Sequence, residues 1–225
     1  MDIDALLDAV EDGDFEGVQQ AIENDGIDPN DTDEDGFSPL MLACHSGQGA
    51  IGEFLLEKGA NLHYTASDGS DALLCAVQGG FVDICTTLLN AKASVNASNP
   101  DAFSPLYSAS QEGHKDIVKM MIKMKADVNA QCQGVSSLFI AAQENHISVV
   151  QALLSADCDV NATNPSLATA LFIAVQKGNT SVVKSIIKRK KKTLHFEQPT
   201  KQVRCVRARA PVCVCRSACN CLCAC

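Results

Sequence analysis

A four-residue phrase returns along this chain at an almost fixed interval. Phe37-Ser38-Pro39-Leu40, Ser70-Asp71-Ala72-Leu73 and Phe103-Ser104-Pro105-Leu106 stand 33 residues apart. Val135-Ser136-Ser137-Leu138 follows after 32, and Ala168-Thr169-Ala170-Leu171 after another 33. A period of this length marks units that bury their apolar sides against one another, and it argues against a single closed globule. The register continues inside each unit. Three residues past each Leu stands Ala43, Ala76, Ala109, Ala141 or Ala174, and four further on Gly47, Gly80, Gly113, Asn145 or Gly178. An apolar pair then follows: Leu55-Leu56, Leu88-Leu89, Met121-Ile122, Leu153-Leu154 and Ile186-Ile187.

Local chemistry turns this pattern into helix pairs. Ser38, Asp71, Ser104, Ser136 and Thr169 each carry an oxygen able to accept an orphan N–H from the turn that follows, so each predicts a helix start. Pro39 and Pro105 come directly after the cap, where no N–H is needed. The Gly or Asn column tolerates positive φ and ends the first helix. Ile117, Val118, Met121 and Ile122 show helical spacing in the second. Neither helix hides its apolar face alone, so stability becomes a sum of unit and interface terms.

Together with Ala126-Asp127-Val128-Asn129 and Cys158-Asp159-Val160-Asn161, these motifs resemble the ankyrin repeat, in five copies over residues 37–187. The resemblance implies an all-α solenoid of stacked helix–turn–helix units with turn-tipped loops. The copies are bounded at 37–69, 70–102, 103–134, 135–167 and 168–187, the last incomplete. Residues 1–36 form a degenerate, acidic N-terminal cap in which Leu6, Ala9, Gly13, Val18 and Ile22 hold repeat positions. The family's usual His after the Leu is replaced by Met41, Leu74, Tyr107, Phe139 and Phe172, so apolar contact is expected in place of its hydrogen bonds. After the second helix the positive-φ position keeps its glycine at Gly59 and passes to Lys92, Lys125, Asp157 and Lys190, at ~1 kcal/mol each wherever the backbone stays left-handed. The loop before Val135 is one residue short. No polar unit matching the pattern follows Ile187, so fraying near 188 and a bare apolar end face are expected.

Ankyrin proteins generally bind targets along the loop tips and the concave face of the first helices. Carried over position by position, that places His45, Gln78, Gln111, Gln143 and Gln176 in one column. Glu112 and Glu144 lie in the next, Phe37 and Phe103 before the caps, and Asp35, Asp68 and Asp101 at the tips. Amides suit a partner's backbone, aromatics supply apolar anchors, and carboxylates favour a basic segment and speed its approach. The same Gln residues can instead bond between repeats, and the Asp residues can simply form turns.

Charge is divided along the chain. Residues 188–225 hold ten Lys/Arg and one Glu, a net +9, which leaves −18 on residues 1–187 of an overall −9. Lys188-Arg189-Lys190-Lys191-Lys192 is a compact basic run of the nuclear-import kind and also sits where cations favour a helix C-terminus. Asn161, and after it Asn129, match the pattern of ankyrin repeats hydroxylated on asparagine, a role that competes with ordinary turn bonding. Asp31-Thr32-Asp33-Glu34-Asp35-Gly36 imitates half an EF-hand loop, but its twelfth position is Leu42 where a bidentate Glu is needed.

Cys44, Cys75, Cys85, Cys132 and Cys158 are scattered singly, as small buried hydrophobes of a reducing compartment are. The other seven cysteines lie after residue 204 in a basic tail expected to be disordered. Cys205-Val206-Arg207-Ala208-Arg209-Ala210 can be written in alternating pyrimidine–purine codons, as a translated dinucleotide repeat would be. The His residues show no metal-ligand spacing, and no Ser/His/Asp or Cys/His set shares a place in the repeat frame. The expectation is a non-catalytic adaptor or scaffold for a protein partner, without cofactor or metal, without nucleic acid and without membrane insertion. It is placed in the cytoplasm with possible entry to the nucleus, and its oligomeric state is left open. The alternative is a membrane-tethered or metal-binding protein acting through its Cys-rich basic tail.

Overall fold

The caps decide where the helices begin. In the computed structural model, which describes residues 3–97 and 104–194, every predicted cap is made. Ser38 Oγ accepts the Met41 N–H at 3.4 Å, Asp71 Oδ1 that of Leu74 at 2.8 Å, Ser104 Oγ that of Tyr107 at 3.2 Å and Ser136 Oγ that of Phe139 at 3.2 Å. Thr169 Oγ1 accepts from Phe172 at 3.3 Å. Each such cap stabilises its helix by about 1 kcal/mol.

From these starts run the first helices α3 (Pro39–Ser46), α5 (Ala72–Gly79), α7 (Pro105–Glu112), α9 (Ser137–Gln143) and α11 (Ala170–Lys177). Gly47, Gly80, Gly113 and Gly178 end four of them with φ between 77° and 81°, and Asn145 near the end of α9 holds φ 63°. The second helices are α4 (Gly49–Glu57), α6 (Val82–Asn90), α8 (Lys115–Lys123), α10 (Ile147–Ser155) and α12 (Thr180–Leu194). Ahead of them lies the pair α1 (Ile3–Asp12) and α2 (Phe15–Glu23), which buries Leu6, Leu7, Val10, Val18 and Ala21 on its repeat side. Asp14 starts α2 by accepting the Gly17 N–H.

The pairs stack in order. First helix packs on first helix from α1 through α3, α5, α7 and α9 to α11, and second on second from α2 to α12. One apolar core runs the length of the stack from Leu6 to Ile186, and Tyr107, Cys132 and Ile140 form a small separate cluster. Among the described residues every buried side-chain nitrogen or oxygen has a hydrogen-bond partner. Of the five residues that replace the family histidine, Met41, Leu74, Tyr107 and Phe139 are buried, so apolar contact takes over there, whereas Phe172 is exposed. The five described cysteines are all buried. Burial pushes the thiols of Cys75 and Cys85 up to about 12 and that of Cys158 to about 11, and raises Cys44 and Cys132 as well. They behave as hydrophobes and not as nucleophiles.

Two expectations need correction. The chain does not fray at 188: α12 continues through the basic run to Leu194, and Lys190 therefore sits within a helix and not at a left-handed stop. With no glycine to end it, α12 simply propagates. Lys92, Lys125 and Asp157 do take positive φ, at 76°, 67° and 58°. The shortened loop has a structural result too. It closes as a hairpin of β1 (Gln131–Cys132) and β2 (Val135–Ser136), with Gln133 at φ 48° and Gly134 at φ 78°, the paired positive angles of a two-residue hairpin turn.

Candidate partner-binding face

Because each first helix starts one residue before its repeat Leu, the residue two after the Ala is delivered to one edge of the stack at every level. His45, Gln78, Gln111 and Gln176 are exposed there, and Gln143 is half-buried. Beside them Glu112 and Glu144 are exposed. Gln143 Nε2 donates to Glu144 Oε1 at 2.8 Å, so this amide is engaged within its own repeat.

The carbonyls of the same residues do different work. His114 places its ring Nε2 3.3 Å from the Gln78 carbonyl oxygen, and His146 places its own 2.8 Å from that of Gln111. Asn179 Nδ2 donates to the carbonyls of Ala142 and Gln143 at 2.8 and 3.2 Å. Gln48 Nε2 reaches the Glu11 carbonyl at 3.5 Å. These residues, with Phe81, occupy one column directly after the Gly or Asn stop, and each lies against the preceding repeat. Bonds from the next repeat therefore reach the backbone of the Gln column, while Gln78, Gln111 and Gln176 are themselves exposed. Sequence reasoning missed this second column, although its interval of 33, 33, 32 and 33 residues was there to be read.

The tips are less uniform. Asp35 is exposed at its turn. Asp68 is exposed, but its carboxylate accepts from the Ser70 N–H at 2.8 Å and the Ser70 hydroxyl at 2.9 Å, which shapes the loop. Asp33 does the same for the first loop, taking the N–H groups of Asp35 and Phe37 at 3.0 and 2.7 Å. These turn bonds account for the partial EF-hand pattern. Phe37 is half-buried and packed against the core, so only part of its ring faces outward. Asp101 and Phe103 lie outside the described residues.

Asn30, Asn96 and Asn129, at the far ends of their units, tie neighbouring loops together. Asn30 Oδ1 accepts the Asn61 N–H, Asn96 Oδ1 that of Asp127, and Asn129 Oδ1 that of Asp159 at 2.7 Å. Asn161 is exposed, and its own N–H is held by Asp159 Oδ1 at 2.8 Å. Of the basic run, Lys188 is exposed on α12 and Arg189 forms an ion pair with Asp157 of the preceding repeat. Lys190, Lys191 and Lys192 continue the helix.

Among the described residues, no group of three or more His, Cys, Asp or Glu side chains is placed to hold a metal ion. No helix there is long and apolar enough to cross a membrane. The pocket between the first two repeats is lined by Leu40, Cys44, Glu53, Leu56, Asp83 and Leu88, and burial raises the Cys44 thiol there.

A stack of helix pairs with a polar row along one edge defines a repeat solenoid built to present a surface. The family model for ankyrin repeats matches in three copies, over residues 6–99, 93–164 and 138–202, and the chain belongs to the ankyrin-repeat family. A chain of the solved complex of the Bd0816 predatory endopeptidase of Bdellovibrio bacteriovorus with the immunity protein Bd3460 is similar. The two are 28% identical with a TM-score of 0.73, and the match covers 82% of this chain and 97% of that one. No curated protein matches the chain.

Proposed function

We propose that this ankyrin stack is a non-catalytic adaptor or scaffold that takes a basic segment of a protein partner along its first-helix face and loop tips. The observation that carries the reading is the exposed row His45, Gln78, Gln111 and Gln176, flanked by Glu112 and Glu144, repeated in register from level to level. Amides one repeat apart offer paired donors and acceptors to an extended backbone, and carboxylates beside them select cations over anions. The excess of −18 over residues 1–187 adds long-range attraction for such a segment. Membership of a family whose repeats serve protein interaction supports the reading, as does a similar chain found in a two-protein complex. The same scaffold serves many functions, so the partner's chemistry rests on this row and not on the fold. Residence in the cytoplasm, with nuclear entry through Lys188 to Lys192, belongs to the same proposal.

The test uses the full chain immobilised under reducing conditions and two extended peptides of equal length, one rich in Lys/Arg and one in Asp/Glu. The basic peptide is expected to bind, and to lose about tenfold in affinity between ~50 mM and ~500 mM salt as screening sets in. Glu112→Lys with Glu144→Lys is expected to weaken it by a further tenfold or so, about 1.4 kcal/mol, with unchanged circular dichroism. Equal capture of the acidic peptide, or full affinity in the double variant, sinks the proposal.

A further inference from the structure

The two ends of the stack are not alike. At every inner level, the residue after the repeat Leu and the residue three further on are covered by the next repeat: Phe139 is 6% exposed and Ala142 0%. In the last repeat the same positions are Phe172, 58% exposed, and Val175, 45% exposed. Leu167 stands at the loop tip where other repeats have Gly36, Gly69 and Gly134. It is 82% exposed and holds a left-handed φ of 60°. Leu171 is half-buried where Leu40, Leu73, Leu106 and Leu138 are buried. This is an apolar end face of the kind a capping unit normally covers.

Charge identifies what fits there. Residues 168–194 contain seven Lys/Arg and no Asp or Glu. Lys177, Lys184 and Lys188 are exposed on the last repeat. The segment that continues from it, 195–225, carries five Lys/Arg against one Glu, and like charge disfavours its return. In the repeat register, that segment also puts Arg204 at the place of the repeat Leu and Arg207 at the place of the repeat Ala. Two end faces meeting tail to tail set basic rim against basic rim. Within these 225 residues the strong complement is the N-terminal unit, where residues 1–36 hold fourteen Asp/Glu and no Lys or Arg. Asp4, Asp8, Glu11, Asp12 and Asp14 are exposed on it. That unit lies at the opposite end of its own stack, five helix pairs away.

We propose that the C-terminal end face of one copy docks on the acidic N-terminal unit of a second copy, head to tail. The contact is heterologous, so it extends into short open rows unless the rotation closes. Phe172, Val175 and Leu167 form its apolar centre, and Lys177, Lys184 and Lys188 its steering rim. It uses the ends of the stack, where Lys177 and Glu11 stand in the same register columns as the first-helix face.

Sedimentation of the full chain in excess reductant tests this. The average mass is expected to climb above one chain with concentration at ~50 mM salt and to return to one chain at ~500 mM. Phe172→Asp with Val175→Asp, both at exposed positions, should hold the protein at one chain. Reversing either rim alone, by Lys177→Glu/Lys184→Glu/Lys188→Glu or by Asp4→Lys/Asp8→Lys/Glu11→Lys, should abolish self-association. Mixing the two reversed variants should restore association between them. A single chain at every concentration and salt overturns the proposal. So does association that strengthens with salt, that persists in either reversed variant alone, or that fails in the mixture of folded variants. If a variant loses its helical circular dichroism, the wild-type concentration and salt series decides alone.

Discussion

Lys92 and Lys125 hold φ of 76° and 67° at the end of their second helices, where Gly59 holds 91° without a side chain to oppose it. A non-glycine residue in that region costs roughly 1 kcal/mol. Lys92→Gly and Lys125→Gly are each expected to raise unfolding stability by about 0.5–1 kcal/mol, net of the chain entropy glycine adds, as read from urea midpoints at unchanged slope. Asp71 shows a different tension. Burial raises its carboxyl above the ordinary value, outweighing the N–H groups of Leu74 and Leu73 that favour the charged form. A carboxyl raised in the fold binds its proton more tightly there than in the unfolded chain. It therefore lowers stability above its folded value, and that loss is relieved as pH falls through this value toward the unfolded one. Asp71→Asn keeps a capping oxygen and removes the titration. Wild type should gain on the variant between pH 7 and pH 4, and a constant difference across that range contradicts the assignment. These positions were legible in sequence because cap and stop residues act on their own backbone. Lys190 was misread because a stop also requires the helix to end, which nothing in its own residue type dictates.

At the scale of the helix pair, the structure adds the column Gln48, Phe81, His114, His146 and Asn179. It binds the carbonyl end of one first helix to the start of the next second helix. Gly113 shows how tight this joint is: it holds φ 81°, and a Cβ built on it lies 2.6 Å from the His146 ring. Gly113→Ala combines left-handed strain with overpacking and is expected to cost about 2–4 kcal/mol. Adding His146→Ala should recover the part due to the clash, which a double-mutant cycle reads as coupling. Simple additivity would show that the two do not meet. The sequence disclosed the helices, their caps and their order, since each follows from a local pattern. It did not disclose which column made the joints, because a repeated His or Asn looks the same whether it faces a neighbour or solvent. The tips divide for the same reason: Asp35 and Asp68 share a register position, yet the Asp68 carboxylate is taken up by Ser70.

At the scale of the whole molecule, the chain is a row of interfaces with an acidic beginning and a basic, apolar end. The polar row of the first-helix face exists only because the units stack in an open line, and so does the exposed end face around Phe172. Stability in such a line is carried by nearest neighbours, so the inner repeats, held on both sides, open last. The bare face was legible in the sequence from the missing pattern after Ile187, whereas the extension of α12 to Leu194 was not. Amide hydrogen exchange on the full chain tests the open stack most directly. Protection should be greatest from α5 through α10 and decline toward α1 at one end and α11–α12 at the other, in steps of one helix pair. Equal protection from end to end, lost in a single step, would contradict the stack and remove the basis for a binding face along it.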